Sequence, residues 1–340
     1  MKRLLWLVFT LISAASLSQG RPKLVVGIVV DQMRPDYLYR FGDRFGEGGF
    51  KRLMDEGYQF KNAHYEYVPT NTAPGHASIY TGSLPSYHGI IGNSWYDKAN
   101  DKIIYCVADA SVNAVGGSER IGKMSPKNLK ASTITDELLL TTNFKSKVVG
   151  VSIKDRGSIL PAGHNPTGAY WFDGKTGNFM TSDYYMSTLP AWVEDFNKQK
   201  KVNKYLKKDW KTLKPIDTYI ESTKDNVAYE RSFKGQKAAV FPYKLSKLVK
   251  KNGIGIIRTT PYGNALVMDM AIAAMKGERL GNDDITDFLA VSFSSTDYVG
   301  HAFGPNSIEL EDTYLRLDKE LKRLLSLLDQ RFGDDYLIFL

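Results

Sequence analysis

The chain has 340 residues, of which 43% are hydrophobic and 24% are charged. This composition excludes a disordered tail, a fibrous repeat and a polytopic membrane protein, and the length favours a large α/β domain with insertions. The net charge of +8 comes from 45 basic and 37 acidic residues. Because no concentrated basic patch or nucleic-acid-binding module is evident, we expect no nucleic acid partner.

The N-terminus has the pattern of an export signal. Two basic residues precede an apolar run at residues 4–17, which is shorter than the roughly 20 residues that a membrane span needs. Small residues at and before Ser18 suit cleavage after that position. We therefore expect residues 1–18 to be a signal peptide and residues 19–340 to be a periplasmic or secreted domain without an integral membrane segment.

Strands and helices alternate along the rest of the chain. Continuous β-branched apolar runs predict strands buried on both faces, and three-four spacing or cap residues predict helices. The predicted elements in chain order are a strand at 23–31, helices at 50–56, 72–80 and 135–140, strands at 147–153 and 288–293, a helix at 307–330 and a strand at 336–340. This alternation predicts an α/β fold with a mostly parallel central sheet and helices on both faces.

Residues 158–252 interrupt this periodicity with turn signals, scattered aromatic residues and a lysine-rich stretch. We interpret the segment as a cap-like insertion over the strand ends. The charge run at Lys198–Lys208 is typical of a solvated surface, and a substrate funnel is the alternative.

The single cysteine, Cys106, excludes an intrachain disulfide and a cysteine-rich zinc site. Its apolar neighbours predict a buried, inert thiol. Since the chain has only five histidines, a metal would have to be held by a few imidazoles together with carboxylates and hydroxyls.

Polar groups follow three predicted strands at their carboxyl ends, where parallel sheets bind ligands. These groups are Asp31, the pair Lys154 and Arg156, and Asp297, and their convergence on one edge predicts a site. Asp297 and His301 are four residues apart and fit either a shared divalent metal, most plausibly zinc, or a simple hydrogen-bonded pair. Asp31 alone fits a metal ligand and a helix cap equally well.

Thr72 stands at the start of a predicted helix with Pro74 in its first turn. Its hydroxyl is then either a simple N-cap or a nucleophile that needs a metal to lower its pKa. Lys154 and Arg156 occupy alternate positions and suit the equatorial oxygens of a phosphoryl group. Asn93 offers an amide donor in a turn, or is only a turn residue.

Together these motifs resemble the alkaline phosphatase superfamily in its type I phosphodiesterase/nucleotide pyrophosphatase-like branch, in particular the exported, monomeric bacterial alkaline phosphatases of the PafA type. The resemblance covers the whole chain after the signal peptide. It is carried by Val26–Arg34, Pro69–His76, Tyr80–Ser83, Gly89–Trp95, Lys154–Ser158, Val291–His301 and Phe303–Pro305, in that order. It implies an alkaline phosphatase-like fold, a monomer and small phosphate monoesters as substrates.

The resemblance also implies two zinc ions. Asp297 and His301 would be ligands of one ion, and Asp31 and the Thr72 oxygen would be ligands of the other. The leaving oxygen of the substrate would sit on the first ion, which would then present the water for the second displacement.

The same resemblance assigns the chemistry to four residues. Thr72 would attack phosphorus and form a phosphothreonine intermediate. Asn93, Lys154 and Arg156 would hold the non-bridging oxygens, and the two cations would favour a dianionic monoester over a diester.

The sequence departs from the family pattern at its C-terminal end. The family completes its zinc sites with an Asp-His pair after a later strand and one more distant histidine, and this sequence stops at Leu340 within that strand. His64, His76, His88 and His164 lie outside the metal-ligand segments. We therefore expect a C-terminally truncated fragment that is inactive alone, from a parent that is an alkaline phosphatase.

Two other functions remain open at this stage. A phosphodiesterase or nucleotide pyrophosphatase of the same superfamily would share the threonine and the zinc ligands but would lack the Lys-x-Arg pair. A non-catalytic exported protein that binds metal or phosphate is the alternative outside enzymes.

Overall fold

The computed structural model describes residues 20–340, so the predicted signal peptide lies outside the described residues. The strands are β1 Leu24–Val30, β2 Ser94–Asp97, β3 Lys102–Tyr105, β4 Ala114–Val115, β5 Val148–Ser152, β6 Gly168–Phe172, β7 Phe179–Ser182, β8 Asp287–Phe293 and β9 Tyr336–Phe339. The α-helices are α1 Asp36–Arg40, α2 Phe50–Glu56, α3 Thr72–Thr81, α4 Pro85–His88, α5 Glu119–Gly122, α6 Ile134–Thr141, α7 Asp155–Ala162, α8 Ala191–Lys198, α9 Lys201–Leu206, α10 Leu245–Asn252, α11 Pro261–Gly277, α12 Ser295–Phe303 and α13 Ile308–Phe332.

The central sheet is mixed and mostly parallel. Its strand order is β4-β7-β6-β5-β8-β1-β9, and the pairs β6-β5, β5-β8, β8-β1 and β1-β9 are parallel. β7 pairs antiparallel with β6 and with β4, and β2 and β3 form a separate hairpin. The predicted fold class is confirmed.

Helices cover both faces of this sheet. On β1, Val26, Ile28 and Val30 belong to the large hydrophobic cluster that includes the apolar sides of α11 and α13. Val25 and Val29 point to the opposite face, because side chains alternate along a strand, and pack with α3 and α6. The sheet is therefore buried between two helical layers, which explains why its strands are continuous apolar runs in the sequence.

The predicted element bounds agree with the structure to within one or two residues. Helix α3, predicted at 72–80, runs from Thr72 to Thr81 and ends at Gly82, whose φ of +62° is the left-handed conformation that glycine adopts easily. Cys106 is buried, as predicted, and burial raises the pKa of its thiol to about 12.

The predicted insertion at 158–252 is corrected by the sheet topology. It begins inside α7, and it includes β6 and β7, which are strands of the central sheet. β6 is completely buried, and its short sequence GAYWF lies among turn signals that hide it from periodicity analysis. Among the described residues 20–340, no helix has both the length and the hydropathy of a membrane span.

Candidate active site

Three neighbouring strands bring the predicted polar groups to one edge of the sheet. β8 lies between β1 and β5, and their carboxyl ends lie nearly level, with Val30 opposite Phe293 and Ser152 opposite Ser292. Asp31 follows β1, Lys154 follows β5, and Asp297 lies in the first turn of α12 after β8. The ends of the three strands therefore bring these polar residues to one edge of the sheet, as the sequence predicts.

Lys154 joins the two carboxylates. Its Nζ lies 2.6 Å from Oδ2 of Asp31 and 2.6 Å from Oδ2 of Asp297, and only 3% of its side chain is exposed. Burial by itself would raise the pKa of Asp31. The charge of the Lys154 ammonium and its hydrogen bond to Asp31, together with other positive charge nearby, outweigh burial, so the pKa lies below its ordinary value. Asp31 is thus an ionised, buried carboxylate, and it does not cap α1.

The hydroxyl of Thr72 is directed at this ion pair. The N-cap of α3 is Asn71, so the interpretation of Thr72 as a capping residue is wrong. The Oγ1 of Thr72 donates to Asp31, with both carboxylate oxygens at 3.3 Å, and accepts from Nζ of Lys154 at 3.1 Å. The side chain is therefore available for chemistry at the positive end of the helix dipole.

Asn93 is oriented by the same helix. Its Oδ1 accepts a hydrogen bond of 2.9 Å from the backbone N–H of Ala73 in the first turn of α3. With the oxygen used in this way, the two Nδ2 hydrogens are the donors that remain. Asn93 is more than a turn residue, because it ties its loop to the helix that carries Thr72.

His301 is placed beside Asp297. Its Nε2 lies 3.2 Å from Oδ1 of Asp297, and 70% of its side chain is exposed. Gln32 was not predicted, and its Nε2 donates to the same Oδ1 at 3.3 Å. Gln32 has a φ of +62°, a left-handed conformation that is strained for a residue other than glycine and that accumulates at functional sites.

His76 and Tyr105 also support the site, and neither was assigned a role from the sequence. The buried His76 has Nδ1 at 2.7 Å from the backbone oxygen of Thr72 and Nε2 at 2.8 Å from Oγ of Ser292 in β8. Burial lowers the pKa of His76, so its ring is neutral at pH 7. Tyr105 contacts Arg156, the remaining predicted phosphate-binding residue. The contacts of His76 with Ser292 and of Tyr105 with Arg156 join segments far apart in the chain.

The donors at this edge fit a divalent metal in kind. Asp31 and Asp297 converge on a point that already holds a cation, the Lys154 ammonium, with the Thr72 hydroxyl and the His301 imidazole alongside. Carboxylate oxygen and imidazole nitrogen are ligands that zinc accepts. Within residues 20–340 no three His, Cys, Asp or Glu side chains are grouped as a complete metal site, so these four residues would supply only part of the coordination.

Comparisons with known proteins identify the family of the chain. The sequence model of the family described as type I phosphodiesterase / nucleotide pyrophosphatase matches residues 25–340. The chain belongs to this family.

Two named relatives are similar to this chain over nearly its full length. "Alkaline phosphatase PhoV" of Synechococcus elongatus is 57% identical over 94% of this chain and 58% of its own length. A protein named "Calcium-transporting ATPase" from Myroides odoratus is 56% identical over 98% of this chain and 61% of its own length.

A solved structure confirms that this chain has an alkaline phosphatase-like fold. The crystal structure of wild-type alkaline phosphatase PafA superposes with a TM-score of 0.92 at 56% identity, over 94% of this chain and 62% of the PafA chain. A second PafA structure is altered at a Thr and an Asn 21 positions apart, and at a Lys and an Arg two positions apart, the spacing of Thr72 to Asn93 and of Lys154 to Arg156. The chain spans about three fifths of the length of these relatives.

Proposed function

We propose that the whole protein, meaning the product of the complete reading frame that carries this chain, is a zinc-dependent alkaline phosphatase that hydrolyses small phosphate monoesters. One observation carries the proposal. The Thr72 hydroxyl does not cap its helix, and it lies between the Asp31 carboxylate and the Lys154 ammonium. The names and the four altered residues of the similar proteins support it.

The substrate phosphoryl group binds among the donors that surround Thr72. The Nδ2 of Asn93 and the guanidinium of Arg156 donate to its non-bridging oxygens. Lys154 would be free to do the same if its two carboxylate partners, Asp31 and Asp297, held a metal. Two cations and an amide match the charge of a dianionic monoester better than that of a diester, which has one charged oxygen fewer.

Thr72 acts as the nucleophile. Its Oγ forms a bond to phosphorus as the ester P–O bond breaks. The hydroxyl proton passes to water, and the departing alkoxide takes a proton from water and leaves as the alcohol. Water then attacks the phosphothreonine, which releases inorganic phosphate and restores the hydroxyl. Zinc held by Asp31, Thr72, Asp297 and His301 would lower the pKa of the attacking hydroxyl and stabilise charge on the leaving oxygen.

Phosphodiester hydrolysis is the second candidate, since the matching family is described as type I phosphodiesterase / nucleotide pyrophosphatase. The structure bears on the choice through Lys154 and Arg156, whose charges suit the additional anionic oxygen of a monoester. A non-catalytic phosphate- or metal-binding protein would keep the same contacts without turnover.

The test compares an aryl phosphate monoester with the matching methyl aryl diester, using the whole protein and its Lys154→Ala/Arg156→Ala variant. We expect the wild type to have a higher kcat/KM for the monoester than for the diester. In the variant, kcat/KM for the monoester should fall by roughly 10²–10³-fold or more, and kcat/KM for the diester should fall much less. A wild-type preference for the diester, or equal losses, would favour the phosphodiesterase. An absence of phosphate release from either substrate, even with added zinc, would favour the binding protein.

A further inference from the structure

Tyr105 contacts the guanidinium of Arg156 through its hydroxyl. Its hydroxyl lies 2.5 Å from Oδ1 of Asp155 and 2.9 Å from Nη1 of Arg156. The hydroxyl has one proton, which it donates to the carboxylate, and its oxygen accepts from the guanidinium. Burial raises the pKa of Tyr105, so the hydroxyl keeps that proton across the physiological range.

The guanidinium of Arg156 has most of its hydrogen-bonding capacity left over. Among the described residues Nη1 has Tyr105 as its hydrogen-bond partner, while Nε is buried without an acceptor. The nearest carboxylate oxygen, on Asp155, lies 3.7 Å from Nη1. A guanidinium held at one nitrogen presents its remaining N–H groups in a fixed fork, the geometry that binds phosphate oxygens in a bidentate manner.

The β2–β3 hairpin connects this contact to the rest of the site. Tyr105 ends β3 and pairs with Ser94, and the next residue, Cys106, donates its backbone N–H to the backbone oxygen of Asn93 at 3.0 Å. Asn93 in turn holds the backbone N–H of Ala73 at the start of α3. One hairpin therefore sets the distance between the helix that carries the nucleophile and the guanidinium.

We propose that Tyr105 is a positioning residue that orients the Arg156 guanidinium for the anionic oxygens of a phosphate monoester, and so contributes to monoester selectivity. This inference rests on the proposed function. It goes beyond it by assigning a selectivity role to a residue that contacts Arg156 and not the substrate. The hairpin then acts as the template that fixes both Asn93 and Arg156.

The experiment replaces the hydroxyl alone. Tyr105→Phe keeps the ring and its packing, and Tyr96→Phe is the matched control, since the Tyr96 hydroxyl bonds Asp101 toward the turn of the same hairpin. Each variant of the whole protein is assayed for kcat and KM on the monoester and the diester, and for binding of inorganic phosphate by equilibrium dialysis. Both substitutions are repeated in the Arg156→Ala background to measure the coupling.

We expect Tyr105→Phe to raise the KM for the monoester and to weaken phosphate binding, each by roughly 10-fold, the scale of a hydrogen bond to a charged group. The diester kinetics should change by much less, Tyr96→Phe should match the wild type, and the Tyr105→Phe effect should vanish when Arg156 is already alanine. An unchanged phosphate affinity, or an equal loss in the Arg156→Ala background, would overturn the inference.

The phosphate-binding arm separates this inference from the proposed function. If the whole protein binds phosphate in a Tyr105-dependent and Arg156-dependent way but turns over no ester, the proposed function fails and the positioning role stands. If esters are hydrolysed and Tyr105→Phe has no effect on KM or on phosphate binding, the positioning role fails and the proposed function stands. A wild-type protein without measurable phosphate binding would contradict the positioning role.

Discussion

The side-chain oxygen of Asn93 accepts a hydrogen bond of 2.9 Å from the backbone N–H of Ala73, the residue after Thr72. The oxygen and the nitrogen of the Asn93 amide group therefore have different roles. The oxygen stabilises the first turn of α3, and the nitrogen is left for a bound phosphoryl group.

Asn93→Asp separates these two tasks. The aspartate keeps an acceptor for the Ala73 N–H but has no amide donors and places a negative charge near the phosphoryl group. We expect kcat/KM for a monoester to fall by roughly 10²–10³-fold, while Tm stays close to that of the wild type. Asn93→Ala should lose similar activity and also about 0.5–2 kcal/mol of stability, because the N–H loses its acceptor. Wild-type activity in Asn93→Asp would show that the amide nitrogen does not contact the substrate.

Lys154→Met tests whether the two carboxylates around the ammonium are metal ligands. In metal-free whole protein the variant leaves Asp31 and Asp297 without their cation, and we expect a loss of about 3–5 kcal/mol of stability. Zinc should then raise the Tm of the variant by more than it raises the Tm of the wild type, because the ammonium no longer competes for the carboxylates. Lys127→Met, which removes an exposed lysine paired with Asp109, is the control. Equal zinc-induced shifts in all three proteins would argue against metal binding at this point.

Glu309 predicts a pH dependence of stability outside the site. Burial raises the pKa of its carboxyl from 4.5 to about 8. Between these values the folded protein keeps a proton that the unfolded chain releases, so the free energy of unfolding falls by about 1.4 kcal/mol per pH unit as the pH rises. The stabilising contribution is complete below about pH 4.5 and is lost by about pH 8.

Glu309→Gln should remove this fall, because the amide is neutral at every pH and still accepts from the Tyr243 hydroxyl. Thermal unfolding of the whole protein at pH 5 and pH 8 checks it. We expect the variant to be clearly more stable than the wild type at pH 8 and close to it at pH 5. The exposed Glu47 gives a control, Glu47→Gln, that should follow the wild type. Parallel curves for the wild type and Glu309→Gln would contradict the prediction.

The predicted signal peptide gives an expectation about the N-terminus. Export with cleavage after Ser18 places the mature N-terminus near Gln19 or Gly20. Mass spectrometry of the intact protein from the exported fraction measures it, and a protein that keeps Met1 and stays in the cytosol would contradict the prediction.

The sequence predicted the parts of the site that depend on strand ends. Asp31, Lys154 and Asp297 each follow a buried strand, and parallel neighbours in register necessarily bring such residues together. Tyr105 and Gln32 could not be predicted in this way. Tyr105 reaches Arg156 from a hairpin about 50 residues away, and Gln32 orients Asp297 through a left-handed backbone conformation.

The segment after α7 was misjudged for a related reason. β6 and β7, with the sequences GAYWF and FMTS, lie among turn signals and lack the continuous β-branched apolar run that marks the equally short β5. β6 joins the sheet by pairing with β5, and β7 joins it by pairing with β6, and these pairings are tertiary contacts.

The most direct measurement of the central claim is to trap the covalent intermediate. The whole protein is mixed with a phosphate monoester, quenched in acid within one turnover, digested and analysed by mass spectrometry. We expect one phosphoryl group on Thr72 in the wild type and on the substituted side chain in Thr72→Ser. Thr72→Ala should carry none and should release no phosphate above background. Phosphate release by Thr72→Ala at the wild-type rate, or a phosphoryl group on another residue, would contradict the account.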